Sequence, residues 1–138
     1  MLSIEHMESL DEELGKIIGV EFNAFAEKKG VICDYSPFTF VAKENNEVVG
    51  IITGHAYYNE VHVANLMVYE QYRNKHIGSQ LMEMVENCYE HSGFEHISLS
   101  TYGFQAPDFY KKCGFQLEFI RENKDNPKLN KYFFVKYL

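Results

Sequence analysis

YRNKHIGSQLMEMVENC, running from Tyr72 to Cys88, is the stretch on which the reading of this chain turns. It opens with Arg73 and Lys75 among polar residues, passes Gly78, and then repeats apolar residues at Ile77, Leu81, Met84, Val85 and Cys88. That spacing predicts a helix with one apolar face, ending near Ser92 and Gly93. The preceding NLMVY reads as a strand, so the segment is strand, turn, helix. The first N–H groups of a helix have no intrahelical partner and sit at the positive end of its dipole. With Arg73 and Lys75 beside them they describe a site for an anion, phosphate or pyrophosphate by preference. The competing reading is an ordinary turn with two surface cations. Neither a GxxxxGK[ST] loop nor a GxGxxG turn is present.

Working outward, residues Pro37 to Tyr58 are rich in β-branched and aromatic side chains, split by the polar run Glu44-Asn45-Asn46-Glu47, and predict a hairpin. Glu60 to Tyr69 is a third strand. HISLST is a fourth, APDFYKKCGF a short helix with Pro107 in its first turn, and FQLEFIRE with KYFFVKYL an antiparallel pair closing around Asn126-Pro127. Towards the N-terminus, Leu2 to His6 predicts a short strand. Leu10, Leu14, Ile17, Ile18, Phe22 and Phe25 then predict one or two helices, with breaks at Gly15 or Gly19. This order implies an α+β protein, a mixed sheet covered by helices.

A chain of 138 residues is long enough for one core and short for two. A net charge of −7 argues against a dedicated nucleic-acid binder, which needs a cationic face. No window is long and apolar enough to span a membrane, and the acidic N-terminus lacks the build of a signal peptide, so the expectation is a cytoplasmic protein. Cys33, Cys88 and Cys113 form no CxxC pair and read as small apolar core residues. The six histidines show no metal-ligand spacing, and no metal is expected.

Arg73-Asn74-Lys75-His76-Ile77-Gly78-Ser79 resembles the R/Q-x-x-G-x-G/A signature of the GNAT superfamily of acyl-CoA-dependent N-acetyltransferases, and Ala106, Tyr110, Gly114 and Phe115 match a second signature of that superfamily. The likeness extends over nearly the whole chain and is strongest from Phe38 to Phe119. It implies a single GNAT-type domain over residues 1–138, with a central, mostly antiparallel mixed sheet of six to seven strands and about four flanking helices. It also implies acetyl transfer from acetyl-CoA directly to a primary amine, small-molecule or peptide, with a homodimer as an open option. The alternative is a catalytically idle domain that binds acyl-CoA.

The same resemblance assigns residues. Residues 73 to 79 would hold the pyrophosphate, and Leu66, Met67 and Val68 would hold the pantetheine arm on a strand splayed from its neighbour. Tyr110 would be the general acid. Two positions depart from the family pattern: His76 replaces the first signature glycine, in a turn where a left-handed residue is expected, and Gly103 replaces a frequent asparagine, leaving Gln105 as the substitute contact. Ala64 stands where many relatives carry a glutamate base. His62 is the replacement chosen, since neutral imidazole accepts a proton near pH 7; Glu60 shares its strand face and His55 lies on the preceding strand. Glu21, Glu27 and Asp34 fall in the region that helps form the acceptor side in this fold, and would suit a cationic amine.

Overall fold

The computed structural model describes all 138 residues, which fall into two compact units, Met1–Cys33 and Asp34–Leu138. In the first, a single helix, α1 (Glu12–Lys28), starts at Asp11, whose Oδ1 accepts the Leu14 N–H at 2.8 Å. Glu12 and Glu13 at its start and Lys28 at its end complement the macrodipole. The helix runs unbroken through Gly15 and Gly19, because a mid-helix glycine costs only about 0.5–1 kcal/mol relative to alanine. Leu2 to His6 forms no strand: its alternation is correct, but extended backbone needs a pairing partner and the segment has none.

The second unit contains β1 (Ser36–Glu44), β2 (Glu47–Tyr57), β3 (Glu60–Val68), α2 (Ile77–Tyr89), β4 (His96–Tyr102), α3 (Pro107–Lys112), β5 (Gln116–Arg121) and β6 (Lys131–Tyr137). Short 3₁₀ turns lie at Glu70–Tyr72 and Pro127–Leu129. The six strands are ordered β1-β2-β3-β4-β6-β5, and only the β3–β4 pairing is parallel. This is the mixed, mostly antiparallel sheet expected, with three α-helices in the chain rather than about four. The β1–β2 loop holds Asn45 and Asn46 at φ 54° and 66°, the left-handed pair that matches the twist of a two-residue hairpin.

One face of the sheet, carrying Ile52, Ala56, Val61, Val63, Ile97, Leu99 and Phe134, packs against α2 and against Tyr110 and Phe115. Side chains alternate along a strand, so His55, His62 and Ser98 belong to the opposite face. The buried stripe of α2 is Leu81, Met82, Val85 and Tyr89; Leu81 and Val85 are buried and Ile77 half-buried against the core as expected, whereas Met84 and Cys88 are not. Met84 and Cys88 lie to one side of that stripe and are exposed, while Met82 and Tyr89 complete a continuous row of three- and four-residue steps. The cysteines are therefore not all core residues: Cys88 is exposed, and Cys33 and Cys113 are half-buried thiols. No helix is long and apolar enough to cross a membrane.

Candidate active site

The site begins where the sheet comes apart. β3 pairs with β4 only through Glu60↔His96, Val61↔Ile97 and His62↔Ser98. Beyond that point β3 stays paired to β2, with Leu66 opposite Ile52 and Met67 opposite Ile51, while β4 stays paired to β6. The two strands diverge, and the inner edge of β3 from Val63 to Val68 has no strand partner. Backbone groups on such an edge take their hydrogen bonds from solvent or from a ligand. Gly54 allows the irregularity on the other side of β3: a Cβ there would lie 2.0 Å from His62 O and 2.5 Å from Phe38 Cζ.

At the open end of the wedge the chain turns into α2. Asn74 and His76 both adopt left-handed backbone, with φ 65° and 63°. Histidine therefore holds the conformation for which the related signature uses glycine, as expected for a residue type that tolerates this region. His76 is the N-cap of α2, yet its ring makes no capping bond. The first intrahelical bond runs from the Gln80 N–H to His76 O at 3.0 Å. The N–H groups of Ile77, Gly78 and Ser79 precede it and have no intrahelical acceptor. Arg73 Nε donates to Val68 O at 3.1 Å, fastening the cationic turn to the end of β3. The Lys75 ammonium instead stands 5.3 Å above the Tyr72 ring.

The facing wall is the β4–α3 loop and α3. Gln105 Oε1 accepts the Tyr102 N–H at 2.9 Å, and the Ala106 N–H donates to Thr101 Oγ1 at 3.3 Å, which folds the loop back on its own strand. Gly103 donates its N–H to Asn130 O at 2.8 Å, and a Cβ at this position would meet Pro127 O at 2.9 Å. Glycine is thus required by the close packing of this loop on the Pro127–Leu129 turn. Gln105 keeps its carbonyl oxygen in the turn, so any contact it makes elsewhere falls to its amide nitrogen. On α3, Tyr110 is buried with edge contacts to Phe109 and Phe115, and Phe109 leans on Gly78 of α2, where an added Cβ would lie 3.1 Å from the ring.

Between these walls lies a cleft of about 1110 Å³. Leu66, Met67, Val68, Arg73, Asn74, His76, Ile77, Gly78, Ser79, Gln105 and Tyr110 all line it. Two of the residues assigned to catalysis or to the cofactor do not: Lys75 faces Tyr72, and His62 lies at the apex of the wedge on the face away from α2. His62 Nδ1 is 3.0 Å from Ser98 Oγ, and its ring is 5.5 Å from that of His55. Sequence reading passed over Ser98, Lys112, Glu86 and Lys136, although the last three line the cleft. Alternation along HISLST could have placed Ser98 beside His62, and a lysine inside the aromatic KYFFVKYL was a visible anomaly.

Burial pushes the Tyr110 phenol up to about 12, with Cys113 adding to the shift. The hydroxyl is consequently a proton donor, never a phenolate, at ordinary pH. Burial lowers the pKa of His62 and the neighbouring His55 lowers it further, against the opposing pull of Glu60. Its ring is neutral near pH 7. The arrangement thus offers anion-binding donors at one end, an unpaired strand edge along one wall, a protonated phenol in the other, and a neutral imidazole at the apex.

Known proteins share this construction. Residues 36–117 match the family model described as an acetyltransferase (GNAT) domain. A blasticidin-S acetyltransferase of Streptomyces morookaense is 32% identical over 80 residues, which make up 57% of this chain and 59% of that protein, so the chain matches less than two thirds of its relative's length. The crystal structure of an acetyltransferase from Bacillus cereus ATCC 14579 superposes with a TM-score of 0.77 at 27% identity, covering 97% of this chain and 98% of that one. An aminoglycoside 6'-N-acetyltransferase complexed with coenzyme A has the same fold, with a TM-score of 0.62 at 17% identity over 91% of this chain and 78% of that one.

Proposed function

Because the chain belongs to the GNAT acetyltransferase family, we propose that it transfers the acetyl group of acetyl-CoA directly to a primary amine. The observation that supports this most is the wedge itself: one continuous cleft leads from the free N–H groups of α2, along the unpaired edge of β3, to Tyr110. Its parts suit acetyl-CoA in order. The Ile77, Gly78 and Ser79 N–H groups, with Arg73, would hold the pyrophosphate. The edge of β3 at Leu66 to Val68 would hold the pantetheine amides. An N–H there aimed at the thioester oxygen would lower the barrier by about 3 kcal/mol.

Attack requires a neutral amine and a protonated leaving sulfur. In this reading His62, with Nδ1–H donating to Ser98 Oγ, presents the Nε2 lone pair to the incoming amine and takes its proton. The amine nitrogen forms the new bond to the carbonyl carbon, the carbon–sulfur bond breaks, and the Tyr110 hydroxyl donates its proton to the sulfur. Water returns the proton to the phenol. The whole site lies within residues 34–138, and dependence on acetyl-CoA supports a cytoplasmic location.

For the acceptor, the blasticidin-S relative and the aminoglycoside-acetylating neighbour support a small, polar, amine-bearing molecule. The test is thiol release from acetyl-CoA with blasticidin S, an aminoglycoside, spermidine and a short peptide with a free N-terminus, alongside calorimetric titration of CoA. Thiol release that depends on one of these amines supports the enzyme. CoA binding with no release for any amine favours the idle acyl-CoA-binding domain, and no CoA binding at all overturns both.

A further inference from the structure

We infer that Lys136 is the positioning residue of the cleft, joining β6, α2 and the end of α3 through one ammonium group so that the wall carrying Tyr110 stands at a set distance from α2. Its Nζ donates to Cys113 O, the C-cap carbonyl of α3, at 2.7 Å. The same ammonium is ion-paired with Glu86 Oε1 on α2, two turns beyond the contact of Gly78 with Phe109. It also stands 5.9 Å over the Phe115 ring.

This is not a surface ion pair. The Lys136 and Glu86 side chains are only 30% and 19% exposed, and Glu86 Oε1 is shut off from solvent with no other hydrogen-bond donor. Without its cation, that closed-off carboxylate oxygen would be left with no partner, which is destabilising. Glu86 therefore holds Lys136 in place, and Lys136 in turn holds a carbonyl that would otherwise be an unsatisfied end of α3. The chain passes this point with Gly114 at φ 92°, and a Cβ on Gly114 would lie 3.3 Å from the Lys136 Nζ. Glycine both permits the left-handed turn and leaves room for the ammonium. Directly after it, the Phe115 N–H donates to Tyr110 O at 3.1 Å, so the held turn is bonded to the backbone of Tyr110 itself.

The consequence for the cleft follows from where these residues sit. Glu86, Cys113, Lys136 and Tyr110 all line it. α3 has only six residues and cannot hold its own orientation by helical hydrogen bonding. It is pinned to α2 at one end by Phe109 against Gly78 and at the other by Lys136 with Glu86. Loss of the second pin would let the Tyr110 wall swing while the sheet stays folded.

The consequence for binding rests on the cleft being the CoA site, and the test separates the two ideas. Lys136→Met keeps the stem and removes the ammonium; Glu86→Gln removes the partner charge; Lys136→Arg restores a cation. Two measurements are made on the full chain: amide hydrogen exchange, and calorimetric titration with CoA. In Lys136→Met and Glu86→Gln the amides of Cys113, Gly114 and Phe115 should exchange about tenfold faster while those of β1 and β2 are unchanged, the mark of local opening. CoA affinity should fall about tenfold with them, and Lys136→Arg should recover both to within about threefold. Unchanged exchange at the three amides overturns the proposal, as does a uniform rise across the sheet, which would make Lys136 a general stabiliser. Faster local exchange with unaltered CoA affinity overturns its positioning role. If wild type binds no CoA, the cofactor reading fails, and the exchange measurement alone judges the clamp.

Discussion

His62 Nδ1 lies 3.0 Å from Ser98 Oγ, and these two residues are also the last pair joining β3 to β4 before the strands part. The bond fixes an imidazole at the apex of the wedge and sets which ring nitrogen faces away from Ser98. Ser98→Ala should leave the fold intact and lower turnover about tenfold through loss of orientation, with Ser98→Thr recovering most of it. His62→Gln should remove a base and lower turnover by about 100-fold. The pH profile carries the sign. The folded pKa of His62 lies below 6.5, through burial and His55 and despite Glu60, so its ring is mostly neutral at pH 6.5. The unfolded chain takes up the proton first as pH falls, so stability too should decline below about pH 6.5, less steeply in His62→Gln. Rate and melting profiles from pH 5 to 8 check both.

Arg73→Ala should weaken CoA binding by about 1.5–3 kcal/mol, the usual cost of a charge-assisted contact. It also frees Val68 O, so a small fall in melting temperature should accompany the loss. A calorimetric dissociation constant equal to wild type would mean that the guanidinium serves the strand end alone.

His76→Gly restores the residue that the left-handed turn prefers, so CoA affinity should stay equal or improve. His76→Val should instead lower stability by about 1–2 kcal/mol, since a β-branched side chain clashes in this conformation. Should His76→Gly instead lose affinity, a ring contact to phosphate would replace simple tolerance as the role of His76.

Tyr110→Phe keeps the buried ring and removes only the hydroxyl. Turnover of a confirmed acceptor should fall about 100- to 10,000-fold with little change in acetyl-CoA binding. The native phenol titrates near 12 rather than 10. The unfolded chain therefore loses this proton first, and the stability that the protonated phenol contributes should be lost as pH rises from about 10 to 12, but not in the Phe variant. A Phe variant turning over within about threefold of wild type would assign the proton transfer to solvent or another group.

Gly54→Ala places a methyl group 2.0 Å from His62 O and into the Phe38 ring. The change should cost more than about 3 kcal/mol, because the obstacle is backbone rather than a yielding side chain. Thermal or denaturant melts would measure it, and a variant of wild-type stability would show that β3 shifts freely at its irregularity.

Most of the sheet was legible because its strands are short, β-branched and bounded by turn residues, with Asn45-Asn46 the plainest case. The strand at Leu2 to His6 was not, since alternation indicates what a strand could bury and says nothing of whether a neighbour is there to pair with it. One edge of the α2 face was misjudged for a related reason: Met82 and Met84 are equally apolar, and only the sheet beneath decides between them. The strand-to-helix turn at residues 73–79 was readable from Gly78 and the change of period. Lys136 and Ser98 were not, because their partners, Glu86 and His62, are 50 and 36 residues away along the chain.

Gly78 is usually thought of for what it leaves free, a helix start whose amides are open to a ligand. Here the same missing side chain is also the seat into which Phe109 settles, 3.1 Å from where a Cβ would be. The open amides at the start of α2 and the stance of the phenol one residue further along α3 thus rest on a single position. Any reshaping of this turn will also move the wall that carries Tyr110, so residues 78 and 109 are best varied as a pair.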